Sequence, residues 1–360
     1  MKVLHVIDSL GRGGAETVLL TLLPSLRAQG CAVEVAVRRP PYDLEPELTA
    51  LGIRVHRLPL LGKWALRRQA RALAALAGRT GAQIVHAHLY FPAVTTALMR
   101  VLRLSPARCF VTFHNLAYAG ANRGGAGLWL KKRLASWLYP RGFDGMFGVS
   151  QAVAQHYEQA LGLAGVQVLP NPIDLPADPS TVVRATPPFR LVLPGRLVPE
   201  KGHADLIKAL GLLDVPTQTT FCGGGPLQEV LAAQAPDIRI TGPLNHAQMM
   251  QEIAQADLVI VPSRFEGFGL TALEAMALSR PVIASTAGGL PEVLGGAGVL
   301  VPPRDPQALA AAINDLLSDP DRRQTLGQAA RQRAQTHFSA SAIAGKLLEY
   351  YRQALSKEHP

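Results

Sequence analysis

Two glutamates, Glu266 and Glu274, close the two ends of EGFGLTALE, with seven residues between them. A β-rich run, LVIVPS, comes just before this stretch, and a helix-like run, LTALEAMAL, begins inside it. Glycines where a strand gives way to a helix leave backbone N–H groups free to cradle an anion. The amides of Phe268, Gly269 and Leu270 would start the helix and face such a group. Glu274 falls a turn into that helix among Leu273, Ala275 and Met276, and a carboxylate in apolar company needs partners. Two cations, Arg196 and Lys201, follow another β-rich run in LPGRLVPEKGH. A planar guanidinium fork and an ammonium point charge near one strand end can converge on a diphosphate.

Two further stretches sit where strands should end. LGRGGAET, residues 10–17, offers Gly11, Gly13 and Gly14 at a helix start. It is not the GxGxxG dinucleotide fingerprint, because the spacing fails and the second strand ends on Arg38-Arg39 instead of an acidic residue. VTFHN, residues 111–115, ends a buried strand, and His114 should project from it towards a ligand. The HAH stretch at 86–88 reads as structural. The histidines are not at metal-ligand spacings and no carboxylate pairs with them, so no metal set is expected.

These residues need strand ends to hold them, and the chain supplies a regular alternation. VLHVID, VEVAV, IRVHRL, QIVHAHL, CFVTFH, MFGVS and VQVLP are strand candidates in the first half, with helical runs between several of them. RLVLPG, TTFCGGG, IRITGPL, LVIVPS, PVIAS and GVLVP repeat the scheme in the second half. Strands alternating with helices indicate βαβ units and parallel sheets. Asp305-Pro306 reads as a helix start, with an Asp cap and Pro in the first helical position. The proline-rich stretch from Leu169 to Arg190 has the character of a linker. The expected fold class is therefore α/β, two Rossmann-like doubly wound parallel-sheet domains facing across a cleft. Residues 1–172 form the first, and 173–339 the second. A helix at about 340–360 is expected to pack back on the first. Ligands in such folds sit beyond the carboxyl ends of strands, so a cleft between the domains is the default site.

Bulk properties agree. A chain of 360 residues exceeds the roughly 250–300 at which single cores stop growing. It is 48% hydrophobic and 17% charged, which is globular composition. No uncharged apolar run reaches the roughly 18 residues of a spanning helix, and the N-terminus reads as a first strand. Cys31, Cys109 and Cys222 form no framework, which fits a reducing compartment with small buried thiols. Charge is uneven. Residues 1–175 carry 20 Lys and Arg against 9 Asp and Glu, while residues 176–360 carry 16 against 17. A basic first half predicts an anionic partner there. Residues 127–142 mix Lys131, Lys132, Arg133 and Arg141 with Trp129, Trp137 and Tyr139, and residues 63–79 are also basic and amphipathic. Both suit an anionic membrane surface, and equally a sheet-covering helix with a solvated face. Nothing in the basic half has the aromatic pattern or zinc fingers of a nucleic-acid binder.

Taken in order, GGAE, the VS at 149–150, NPID at 171–174, GRLVPEKGH, GGGP at 223–226, PSRFEGFGLTALEAMA and RPVIAS resemble the retaining glycosyltransferases of family 4, which have the GT-B architecture. The likeness spans nearly the whole chain. The glutamate pair around EGFG is its most specific element. The resemblance implies that Gly195, Arg196 and Lys201 hold the donor diphosphate and stabilise it as leaving group. It places Glu274 on the ribose hydroxyls and Glu266 on hydroxyls of the donor sugar. Gly267, Phe268, Gly269 and Leu270 would touch phosphate or sugar, Gly13 and Gly14 would approach the diphosphate, and Leu244 would pack on the base. His114 matches a histidine that contacts the donor sugar and bears on catalysis. Asn115 stands where the family often has Asp or Gly, Pro172 where it often has Gly, and Ser279-Arg280 where a Gly often precedes PVIAS.

The implied activity is metal-independent, retaining transfer of a sugar to a hydroxyl of a glycan or lipid-linked acceptor, in cell-envelope or surface polysaccharide synthesis. UDP-sugar is the first donor expectation and GDP-mannose the second, both as substrates, with no cofactor. The place of action would be the cytoplasm, either free or peripheral at the inner face of the cytoplasmic membrane. A nucleotide-sugar epimerase of the same architecture would want acid and base side chains around the sugar. A two-domain solute-binding protein would have no use for Arg196 and Lys201 at a diphosphate.

Overall fold

The structure is a computed structural model that describes residues 1–62, 65–118, 126–177 and 185–357. The chain divides into two units, Met1–Pro172 with Ala340–Pro360, and Ile173–Ser339.

The first unit is a seven-stranded sheet of β1 (Lys2–Ile7), β2 (Ala32–Val37), β3 (Arg54–Arg57), β4 (Ile84–His88), β5 (Arg108–Phe113), β6 (Gly145–Gly148) and β7 (Gln167–Val168). Their spatial order is β3-β2-β1-β4-β5-β6-β7, and every pairing is parallel. Parallel strands are buried on both faces and need helices over each. Alternation along β1 assigns the two faces. Val3 and Ile7 pack under helices Gly14–Ala28 and Ala340–Ser356. Leu4 and Val6 pack with Ala70, Leu73, Leu76 and Ala77 of helix Leu66–Thr80. The helix expected from Lys63 begins at Leu66, and Lys63 and Trp64 lie outside the described residues. Asp8, just past β1, ties the ends of the first two strands, accepting from Arg38 at 2.6 Å and Arg39 at 2.8 Å.

The second unit is a six-stranded parallel sheet in the order β10-β9-β8-β11-β12-β13. Its strands are β8 (Phe189–Pro194), β9 (Thr217–Cys222), β10 (Arg239–Ile240), β11 (Leu258–Val261), β12 (Val282–Ser285) and β13 (Val299–Val301). Asp305 caps the helix Pro306–Ser318 as its sequence predicts, accepting from the Ala308 amide at 2.9 Å. In both sheets the chain reverses direction of travel beside the first strand, between β1 and β4 and between β8 and β11. Those reversals are where doubly wound sheets leave a crevice at the carboxyl edge. All three cysteines are buried thiols.

Ser279 occupies the turn after helix Leu270–Ala277 with φ 57°, in the left-handed region that favours glycine. The Cβ strain there exceeds the unfolded-state entropy that a side chain removes. Ser279→Gly is therefore expected to stabilise the protein by roughly 0.5–1 kcal/mol, raising Tm by a few degrees in a thermal melt.

Candidate functional site

At the carboxyl edge of the second sheet the structure brings Lys201 and Glu266 together. The chain leaves β8 through Gly195 and the exposed Arg196, then forms the short turn Pro199–Lys201, which ends at Gly202 with φ 75°. A Cβ on Gly202 would overlap the carbonyl oxygen of Pro262, so glycine lets this turn lie directly on the loop leaving β11. Gly288, with φ 55°, does the same after β12, where a Cβ would overlap the Glu266 carbonyl oxygen. The outcome is an ion pair between residues far apart in sequence: Lys201 Nζ lies 2.6 Å from Glu266 Oε2. The Ser263 hydroxyl donates to the same carboxylate oxygen at 3.3 Å. Arg264 braces the loop from outside with two donations to Asp205, at 2.8 and 2.6 Å.

Helix Leu270–Ala277 starts immediately after this pair. Its N-cap, Gly269, has φ 107° and no side chain caps it, which leaves first-turn donors unclaimed by side chains. Phe268 is buried and meets Phe338 edge-on at 5.9 Å, anchoring the entry to the helix. Gly267, just before Phe268, is half-buried, and Leu270 opens the helix half-buried. The Thr271 hydroxyl is buried with no partner among the described residues.

Glu274 is 5% exposed. Burial pushes its carboxyl up to about 7, with the Lys201 charge opposing that rise. The His246 imidazole lies beside it, with Nδ1 3.6 Å from Oε1. His246 opens a helix held by a reciprocal capping box between Asn245 and Gln248. Leu244, half-buried, precedes that cap.

In the first unit, Gly13 is the N-cap of helix Gly14–Ala28, and Gly14 is exposed. The Glu16 carboxylate folds back over Gly13, where a Cβ would collide with it, and the Ser9 hydroxyl donates to Glu16 at 3.4 Å. A carboxylate thus covers part of the glycine face expected to meet a diphosphate. His114 lies just past β5, with Nε2 3.0 Å from His88 Nδ1 and with its own Nδ1 buried and unpartnered among the described residues. Burial lowers its pKa to about 4. Among the described residues, no three of His, Cys, Asp and Glu are grouped to hold a metal ion.

Several contributors escaped sequence reasoning. Ser263 and Thr271 have ordinary residue types in unremarked positions. Gly288 stands beside another glycine in TAGGLP, a breaker cluster that could have been read as a close backbone approach. His88 was readable, since HAH puts both histidines on one sheet face.

A second surface lies on helix Ala126–Gly142. Trp129, Arg133, Trp137 and Arg141 recur every four residues and so form one row. Trp129 and Trp137 are 58% and 51% exposed. Arg133 stacks on Trp129 at 4.8 Å and Arg141 on Trp137 at 5.2 Å. Arg67, Arg68, Arg71 and Arg79 are exposed on helix Leu66–Thr80.

A family model described as "Glycosyl transferases group 1" matches residues 179–333, and one described as "Glycosyltransferase Family 4" matches residues 12–176. Among curated proteins, the glycogen synthase of Mycobacterium tuberculosis is 36% identical over 233 residues, covering 61% of this chain and 56% of its own. The D-inositol 3-phosphate glycosyltransferase of Corynebacterium glutamicum is 37% identical over 183 residues, covering 46% and 43% respectively. The chain thus spans about half the length of the curated relatives it matches. Among solved structures, Anabaena HepE in complex with UDP and glucose superposes with TM-score 0.83 at 23% identity, over 98% of this chain and 100% of that one. Sucrose-phosphate synthase from Thermosynechococcus elongatus gives 0.82 at 24%, over 99% and 100%. At that identity the likeness is one of fold, two Rossmann-like domains of the GT-B type.

The Glu274 carboxyl supplies a pH signature. Its folded pKa of about 7 lies above the ordinary carboxyl value of 4.5. Between those values the folded protein keeps a proton that the unfolded chain has released, so stability falls as pH rises through the window. Glu274→Gln removes this loss. Its Tm gain over the parent is expected to be larger at about pH 8 than at about pH 5, measured by thermal melts. An equal gain at both would contradict the assignment.

Proposed function

The chain belongs to the family 4, group 1 glycosyltransferases, and from that membership we propose that it moves a sugar from a nucleotide-diphosphate sugar to a hydroxyl of a glycan or lipid-linked acceptor. The observation that carries the proposal is the Lys201–Glu266 pair at the uncapped start of helix Leu270–Ala277, with Glu274 buried a turn further on. A sugar–diphosphate–ribose ligand has an anion in the middle and hydroxyl donors at both ends, and these residues offer donors in the middle and acceptors at both ends.

In the proposed mechanism, cleavage of the sugar–phosphate bond builds negative charge on the leaving diphosphate. Lys201, Arg196 and the first-turn amides of Phe268, Gly269 and Leu270 stabilise it without reorganising. A diphosphate oxygen would take the place of Glu266 as partner of Lys201. Glu266 would then accept from a hydroxyl of the sugar. Glu274 would accept from the ribose, Leu244 would pack on the base, and His114 would bind an oxygen of the sugar. Gly13, Gly14, Gly195 and Gly267 would let backbone approach the phosphates. Two side-chain cations supply the neutralisation that a divalent ion gives elsewhere, so the reaction is proposed to be metal-independent. Retention is proposed from family membership, with the acceptor hydroxyl attacking on the leaving-group face and a phosphate oxygen taking its proton. UDP-sugar is the preferred donor, a reading supported by the UDP complexes of HepE, and GDP-mannose is second. Surface polysaccharide assembly is the proposed setting.

The tryptophan–arginine row supports a place for the acceptor. No helix among the described residues is long and apolar enough to cross a membrane. Arginines stacked on exposed indoles suit the headgroup level of an anionic bilayer, and a lipid-linked acceptor would be presented there.

Three measurements test these readings. Calorimetry with UDP and GDP should show binding weakened by at least about tenfold in Glu274→Ala, where ribose acceptors are lost. Glu266→Ala should keep nucleotide affinity and lose turnover, and unchanged turnover in that variant would reject its role. For the membrane, sedimentation should show the protein on anionic vesicles and not on neutral ones. Replacing Trp129 and Trp137 together by Ala should reduce that binding by roughly tenfold or more. Equal binding to both vesicle types would sink the electrostatic reading.

A further inference from the structure

A row of histidines runs through the first unit beneath helices Gly14–Ala28 and Ala340–Ser356. On β1, His5 sits between Val3 and Ile7 on the face that carries the apolar core, and on β4 His86 and His88 follow Ile84 on the same face. His5, His86 and His88 are at most 1% exposed. His86 is fully engaged, with Nδ1 on the Tyr351 hydroxyl and Nε2 2.8 Å from the Thr112 hydroxyl. The other two join His114 in a line. His5 Nδ1 is 3.0 Å from His88 Nε2, and His88 Nδ1 is 3.0 Å from His114 Nε2.

Burial keeps these rings uncharged. It lowers His5 to about 3 and His114 to about 4, and holds His88 well below its ordinary value, with the neighbouring histidines adding to the effect. A neutral imidazole has one N–H and one lone pair. His88 therefore donates to one neighbour and accepts from the other. Following that rule along the line leaves only two states. Either all three rings carry the proton on Nδ1, or all three carry it on Nε2.

The ends decide between them. His5 Nε2 and His114 Nδ1 are both buried without a partner among the described residues. In the Nε2 state, the unpaired N–H is sealed inside the sheet at His5. In the Nδ1 state, the unpaired lone pair is at His5, and the unpaired N–H is at His114, beyond the carboxyl end of β5, where ligands of such sheets bind. A buried N–H without an acceptor is the rarer and more costly orphan. We propose that His5 and His88 are positioning residues that hold His114 in its Nδ1–H form, so that it presents a hydrogen-bond donor, and not a base, to an oxygen of the bound sugar. The sugar as recipient rests on the function proposed above. The locked tautomer does not.

Side-chain nitrogen NMR of isotopically labelled histidines reads the tautomers directly in ligand-free protein at neutral pH. All three rings are expected to show a protonated Nδ1. Protonated Nε2 in all three, different nitrogens in different rings, or an imidazolium at His88 would overturn the proposal. His5→Leu removes the donor to His88 and should turn the single form of His114 into a mixture. His5→Asn, whose amide N–H can stand where Nδ1–H stood, should restore the single form. A single Nδ1–H form in His5→Leu would show that the line does not set it. The wild-type spectrum remains decisive if that variant fails to fold. UDP-glucose and GDP-mannose are then added. A shift of the His114 Nδ1–H signal with either one is expected. Nucleotide binding without any such shift would remove the sugar contact and leave the tautomer lock standing.

Discussion

Backbone passing backbone, with no side chain between, is the constraint on which the second unit's candidate site depends. Gly202 rests on the Pro262 carbonyl and Gly288 on the Glu266 carbonyl, and those contacts hold the loops after β8, β11 and β12 within one side chain's length of each other. Lys201 can then reach Glu266. A Cβ at either glycine would push the loops apart and leave both charges part-buried and alone, which costs far more than the pair itself contributes. The ion pair has a second consequence. On the proposed reading it keeps both charges partnered without ligand, and a diphosphate replaces it charge for charge at Lys201 while a hydroxyl replaces it at Glu266.

The first unit solves a different problem with the same economy of charge. Four polar residues, His5, His86, His88 and Thr112, occupy a sheet face that Val3, Ile7, Ile84 and Phe110 make apolar. Buried polar groups are tolerated when paired, and His86 is paired through Tyr351, which arrives from the far end of the chain on helix Ala340–Ser356. That helix is therefore part of the core that shapes the histidine row. It packs with Leu347 and Leu348 against the same face as Leu19 and Leu23. The row and the C-terminal helix specify each other.

Much of this was legible in sequence because it is local. Short β-rich apolar runs marked the strands, Asp305-Pro306 marked a helix start, and the glutamates around EGFG stood where a strand meets a helix. What stayed hidden depends on strand register or on backbone angle. Lys201 and Glu266 are 65 residues apart, and only the β8–β11 pairing brings their loops together. The line from His5 through His88 to His114 needs β1, β4 and β5 side by side in a fixed register, with His5 opposite His86 and His88 opposite Thr112. The histidines of these runs show no connection until the runs are laid next to one another. The left-handed turn at Ser279 leaves no trace in a residue that is common in every kind of loop.

The uneven charge of the chain also takes on a more specific meaning. Several cations of the first unit are consumed internally: Arg38 and Arg39 by Asp8, Arg57 by Glu45, Arg108 by Asp144. The exposed excess is concentrated on helices Leu66–Thr80 and Ala126–Gly142. A solvated basic face explains arginines and lysines there without any partner. It does not explain two indoles more than half exposed in the same row, since large aromatic side chains gain about 1.5–3 kcal/mol from burial and find it elsewhere in this unit. Indoles alternating with guanidiniums make a surface that is apolar and cationic at once. Water satisfies only the second property, and on the proposed reading an anionic membrane surface would satisfy both.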